Sequence, residues 1–195
     1  MSRILTTAAA AVLLSAGAAA AQDCIAPSAD PFDLDDAAVN ELYSCIEAAM
    51  IEGYTKGDNP LAPLYRDWTA TATRPAVAGP HGERLLLTFA NDIAAEQYLQ
   101  FAYDFGEMPV GSILAKESIK VGKEGKSRVG PLFFMEKVAA GGEAAEYDNW
   151  VYSAVQPNGK AVKHSQAFCH DCHAAFEDQD SLGYPVEEVR VGASD

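Results

Sequence analysis

Basic residues are scarce. The 195-residue chain has 14 Lys plus Arg against 28 Asp plus Glu, a formal net charge of −14 at pH 7. Nucleic acid and anionic membrane surfaces both select a positive footprint, so neither fits as a partner. Cysteine is also sparse: four residues, at positions 24, 45, 169 and 172, are too few for a disulfide scaffold. Beyond the N-terminus there is no internal repeat, no low-complexity tract and no apolar run long enough to span a bilayer. What is abundant is apolar side chain, 49% of residues, which excludes an acidic disordered chain and allows one ordinary domain with a core.

The N-terminus is the exception. Arg3 is followed by an Ala- and Leu-rich run from Ile4 through Ala20, and Ala19-Ala20-Ala21 precedes Gln22. This succession of charge, apolar run and small residues predicts a secretory signal peptide over residues 1–21. A membrane anchor is the competing reading, but Ser and Gly interrupt the run and no basic stop-transfer cluster follows. Cleavage would remove one charge, that of Arg3, and move the net charge to −15. The expectation is a periplasmic protein with no membrane anchor after cleavage, in a compartment where disulfides form.

Residues 22–60 comprise a Pro- and Asp-rich lead and an amphipathic helix. Ala38, Leu42, Cys45, Ile46, Ala49 and Met50 recur at three- and four-residue spacing, which predicts a helix over 35–53 capped by Asp35 or Asp36. Cys45 on its apolar face is expected to bridge to Cys24, with two free buried thiols as the alternative. Residues 61–195 form the larger unit. Runs rich in Thr, Val, Ile, Leu and aromatics predict strands at 68–73, 84–89, 112–121, 132–138 and 150–155, separated by Gly, Pro and Asn clusters. A helix is predicted over 91–103. The order predicts an α+β domain, mainly an antiparallel β-sheet with flanking helices and Trp68 and Trp150 as core aromatics.

The chemistry is concentrated in Phe168-Cys169-His170-Asp171-Cys172-His173. Cys169-x-x-Cys172-His173 is the attachment pattern of a c-type haem. Two thiols at that spacing can add to the two vinyl groups of one porphyrin, while His173 reaches the iron from the same side. A zinc site would need a further ligand, from His170 or His164, and no second Cys/His pair exists. A thioredoxin-like pair would sit at a helix N-terminus in a βαβ unit, a context absent here. A plain disulfide leaves the adjoining His unexplained. The expectation is one haem c per chain, held at a C-terminal attachment motif.

Tyr65-Arg66-Asp67-Trp68, Gly111-Ser112-Ile113-Leu114-Ala115-Lys116-Glu117, Phe134-Met135, Asn149-Trp150 and the haem motif follow one another in an order that resembles the cytochrome P-460 family. That family includes the c′-beta cytochromes, and the similarity spans roughly residues 61 to 190. The Cys24–Cys45 lead lies outside it. The resemblance implies a mainly antiparallel fold, usually a homodimer, holding one c haem with a proximal His and an open distal face. Residue by residue, it implies Cys169 and Cys172 as the thioether attachments and His173 as the axial ligand. Lys116 falls where hydroxylamine-oxidising members place a lysine bonded to a porphyrin meso carbon. Glu177 falls near the pocket carboxylate those members use in proton transfer. The c′-beta members lack the cross-link, cap the distal pocket with aromatic rings, and bind NO and CO. Phe134 and its neighbour Phe133 are the candidates for such rings.

Each of these residues also has a plain structural reading. Strand alternation groups Lys116 with Leu114, Ser118 and Lys120, opposite Ile113, Ala115, Ile119 and Val121. Lys116 therefore meets a haem only on the face away from that apolar set. Glu177 belongs to the acidic run Glu177-Asp178-Gln179-Asp180, which solvates by default. Met135 or Met108 as sixth ligand would make a His/Met electron carrier. His170 reads as a spacer, and His81 and His164 as surface residues. The favoured expectation is a haem oxidoreductase acting on hydroxylamine or a related small nitrogen compound, with Lys116 and Glu177 catalytic and an electron-transfer partner protein. The alternatives are a non-catalytic NO/CO-binding protein or the His/Met carrier. The surplus of acid suits a basic redox partner.

Overall fold

In a computed structural model, which describes residues 23–192, Asp35 accepts a hydrogen bond from the backbone N–H of Ala38 at 2.8 Å and starts helix α1, Asp36–Tyr54. The predicted signal peptide lies outside the described residues. Val39, Leu42, Ile46 and Met50 form the buried stripe of α1 at the expected helical spacing. Cys24 and Cys45 are bridged across a sequence separation of 21, stapling the lead to α1. The lead is also held by backbone bonds from Ala26 N–H to Gly125 O and from Ser127 N–H to Cys24 O, both 2.9 Å.

Seven strands form one antiparallel sheet. They are β1 Thr69–Ala70, β2 Ala76–Ala78, β3 Arg84–Ala90, β4 Ile113–Val121, β5 Ser127–Val129, β6 Leu132–Lys137 and β7 Trp150–Val155. The main order is β1-β3-β4-β6-β7, with β2 pairing β3 and β5 pairing β4. Helix α2, Asp92–Tyr98, crosses between β3 and β4, and α3, Gln166–His173, follows β7. The α+β expectation therefore holds. The first predicted strand shrinks to two residues, and two three-residue strands escaped prediction because a run that short carries no measurable alternation. The helix predicted over 91–103 stops at Tyr98, and Phe101 and Asp104 take left-handed backbone with φ of 47° and 54°.

The pleat gives the sheet two buried faces. On the first, Leu85, Phe89, Ala115, Ile119, Leu132 and Phe134 pack in one cluster with Val39, Leu42, Ile46 and Met50 of α1. The segment before residue 60 thus shares its core with the sheet. On the second face, Leu114, Met135, Trp150 and Tyr152 gather with Ala94, Tyr98, Met108 and Leu182. A sheet that is apolar on both sides must be covered twice. Helix α1 covers one side, and α2, α3 and the C-terminal segment serve the other.

Reducing the Cys24–Cys45 bridge, or replacing both residues by Ser, releases a closed loop of moderate length and is expected to lower stability by about 3 kcal/mol. Denaturant unfolding of the oxidised and reduced proteins measures it; coincident curves would show that the bridge constrains nothing.

Candidate cofactor site

A cavity of about 420 Å³ lies between the second face of the sheet and α3. Part of its lining is a cross-strand row in which Thr88 pairs with Lys116 and Lys116 with Phe133. Cys169, Cys172 and His173 line it from α3, and His81 from the turn between β2 and β3. The remaining wall is mostly apolar, including Leu86, Leu114, Met135 and Phe176.

Lys116 and Glu117 are adjacent on β4, so the pleat sends them to opposite faces. Lys116 takes the cavity, where burial pushes its ammonium down to about 8. Glu117 takes the first core, where it is 1% exposed. There its carboxylate accepts from Tyr65 Oη at 2.5 Å and Tyr43 Oη at 2.7 Å, and Arg66 Nη2 lies 2.5 Å away. Burial pushes the Glu117 carboxyl up, against the pull of Tyr65 and Arg66. This cluster ties the Tyr65-Arg66 turn and α1 to the central strand.

Ser165 caps α3 by accepting from the Phe168 N–H at 3.2 Å. One helical turn then places Cys169 and Cys172 on the same face, both as free thiols. They are the fourth and seventh of the eight residues of α3, past the N-terminal position a thioredoxin-like pair would take. Burial pushes the Cys169 thiol up. His173 donates from Nδ1 to the carbonyl of Ser181 at 2.8 Å, which fixes the tautomer and leaves the Nε2 lone pair unengaged. Burial, reinforced by Lys116, pushes His173 down to about 4, so the imidazole is neutral.

The Ser181 carbonyl is itself held in place. Asp180 and Ser181 both have left-handed backbone, with φ of 52° and 61°. Lys137, whose side chain is 1% exposed, donates from Nζ to Asp180 Oδ1 at 2.7 Å and to the Asp148 carbonyl at 2.8 Å. Met108 N–H donates to Asp180 Oδ2, and Trp150 Nε1 to the Asp180 carbonyl, each at 2.8 Å. Ser181 Oγ donates to Asp148 Oδ2 at 2.7 Å.

The structure brings Lys116, Cys169, Cys172 and His173 to one cavity. Phe134 reaches its wall, but the Phe134 ring packs against Tyr65 in the first core. Phe133 faces the cavity instead, with its ring 5.0 Å from that of His81. Glu177 is exposed and does not line the cavity, and no Asp or Glu stands among the described lining residues. Met135 lines it and Met108 does not. His81 corrects the surface reading: it is partly buried on the wall, and burial pushes it down to about 3. The signal missed in the sequence was its place in Gly79-Pro80-His81-Gly82, a hairpin turn that becomes visible only once β2 is recognised.

The sequence pattern of the cytochrome P460 family matches residues 63–182, more than half of the chain. The chain belongs to the cytochrome P460 family. No curated protein matches it closely enough to serve as a named relative. Membership implies a haem cofactor, and the residues on this cavity fit one. Two unbridged thiols and a neutral imidazole with a free Nε2 converge from adjacent turns onto a largely apolar chamber. In this cytochrome P460 family member the orientation of that imidazole depends on the buried Lys137–Asp180 pair.

Lys137→Met strands the Asp180 carboxylate without its cation and is expected to cost about 3–5 kcal/mol. Denaturant unfolding checks this, and adding Asp180→Leu should recover most of the loss. A wild-type midpoint in the single variant would show that the pair does not hold the turn.

Proposed function

We propose that this cytochrome P460 family protein is exported to the periplasm, carries one haem c, and is an oxidoreductase for hydroxylamine or a related small nitrogen compound. Cys169 and Cys172 would attach the haem and His173 would ligate its iron. The observation that carries the reading is Lys116, whose amine lines the same cavity as the two thiols and His173. The haem supplies a redox-active iron. The chain's own residues supply the setting. The Ser181 carbonyl holds the Nδ1 proton of His173 and so presents Nε2. Leu86, Leu114 and Phe133 give the chamber apolar walls. Lys116, with its ammonium pushed down to about 8, is the amine nucleophile available on the wall. The net charge of −15 after cleavage, 13 basic against 28 acidic residues, suits a basic electron-transfer partner, whose approach would weaken with salt.

One observation favours a second reading. With Glu177 off the wall and no carboxylate among the described lining residues, the cavity holds no acidic proton acceptor. That composition suits a non-catalytic NO or CO binder of the c′-beta kind.

Mass spectrometry of the denatured protein, matured in a periplasm, is expected to show the added mass of one haem; its absence removes the haem c assignment. The reduced optical spectrum separates the two readings. A markedly red-shifted main band that becomes an ordinary c-type band in Lys116→Ala supports the oxidoreductase, together with hydroxylamine-dependent reduction of an artificial electron acceptor. An ordinary band in the wild type supports the gas binder.

A further inference from the structure

We propose that His81 is the second axial ligand of the haem iron in the resting protein, facing His173 across the cavity. The proposal rests on the haem reading above and concerns the side of the iron that the resemblance leaves open. The ring centroids of His81 and His173 are 6.3 Å apart. A metal atom at ~2.0 Å from one nitrogen of each of two imidazoles places their centroids roughly 6 to 6.5 Å apart, because each nitrogen lies about 1.1 Å from its own ring centre. The two rings are inclined at 81° and are not stacked face to face. A distal histidine that only hydrogen-bonds to a bound molecule would need a wider gap, since a further atom has to fit between it and the metal.

His81 is otherwise unemployed. Neither of its ring nitrogens makes a hydrogen bond among the described residues, although the residue is partly buried and lines the cavity. Its backbone, by contrast, is firmly placed. Ala78 pairs with Arg84 at the base of the hairpin, Gly82 N–H donates to Gly79 O at 2.9 Å, and the Arg84 guanidinium donates to the His81 carbonyl. Gly82 takes a φ of 72°, which closes the turn directly after His81. Of the rival thioether ligands, Met135 sits on the sheet wall of the cavity and Met108 lies outside it. Met135 is 7% exposed and packed with Leu114 and Tyr152, and Met108 lies off the cavity with its backbone N–H on Asp180. A resting iron ligated this way has no vacant position. A small molecule reaches it only by displacing His81, which makes the β2–β3 hairpin tip the gate of the site.

The test uses the ferric holoprotein, with haem attachment first verified by mass. Missing haem would be a failure of the haem reading, and the spectra below then overturn nothing but that. With haem attached, the optical and electron paramagnetic resonance spectra of the wild type are expected to be low-spin and six-coordinate. His81→Ala and His81→Gln are both expected to become high-spin, added imidazole should return His81→Ala to low-spin, and Met135→Leu should leave the spectrum unchanged. Cyanide should bind His81→Ala about tenfold faster or more than the wild type, because the closed state no longer holds most of the population. A high-spin wild type overturns the proposal without any variant having to fold. So does a low-spin spectrum retained in both His81 variants.

Discussion

The buried ion pair between Lys137 and Asp180 is the contact on which the candidate site hangs. An isolated charge at either position would be prohibitively placed, so the two must meet, and their meeting brings the chain after α3 back onto β6. The pair is the hub of further hydrogen bonds. The indole of Trp150, the amide of Met108 and the carbonyl of Asp148 all bind to one of its members. The result is a turn with two successive left-handed residues whose carbonyl at Ser181 points to His173. Orientation of the imidazole is thus decided by a lysine that never touches it.

The central strand solves a second problem by splitting a charged dipeptide. Lys116 and Glu117 would repel no one on a surface strand, but β4 is covered on both sides, so each charge needs its own accommodation. Glu117 finds it among Tyr43, Tyr65 and Arg66, which explains why a Tyr-Arg turn far upstream belongs with a Lys-Glu dipeptide on β4. Lys116 has no such cage and opens onto the cavity. The asymmetry is a property of the pleat: once Glu117 is committed to the first core, Lys116 has one place to go.

Much of this was legible beforehand. The stripe on α1, the four longer strands and the alternation that separates Lys116 from the Ile119 face follow from local spacing, the Cys24–Cys45 bridge follows from the cysteine count and an oxidising compartment, and the structure has each. Two kinds of feature were not legible. Short strands such as β2 and β5 exist because a longer neighbour pairs with them, and their own residues carry no period. Residues brought in by turns, such as His81, depend on hairpin geometry that two glycines and a proline permit without specifying. Phe133 and Phe134 show the intermediate case: alternation dictates that they part, and only the location of the cavity says which ring faces it.

The Cys24–Cys45 bridge also bears on how the protein matures. Four cysteines admit three complete pairings. The bridge uses the two nearest the N-terminus, and its formation seats both against the first core. From then on, the thiols of α3 have a single competitor, which is each other. An error-prone choice among partners is thereby reduced to one local question, whether Cys169 and Cys172 stay reduced until something else claims them.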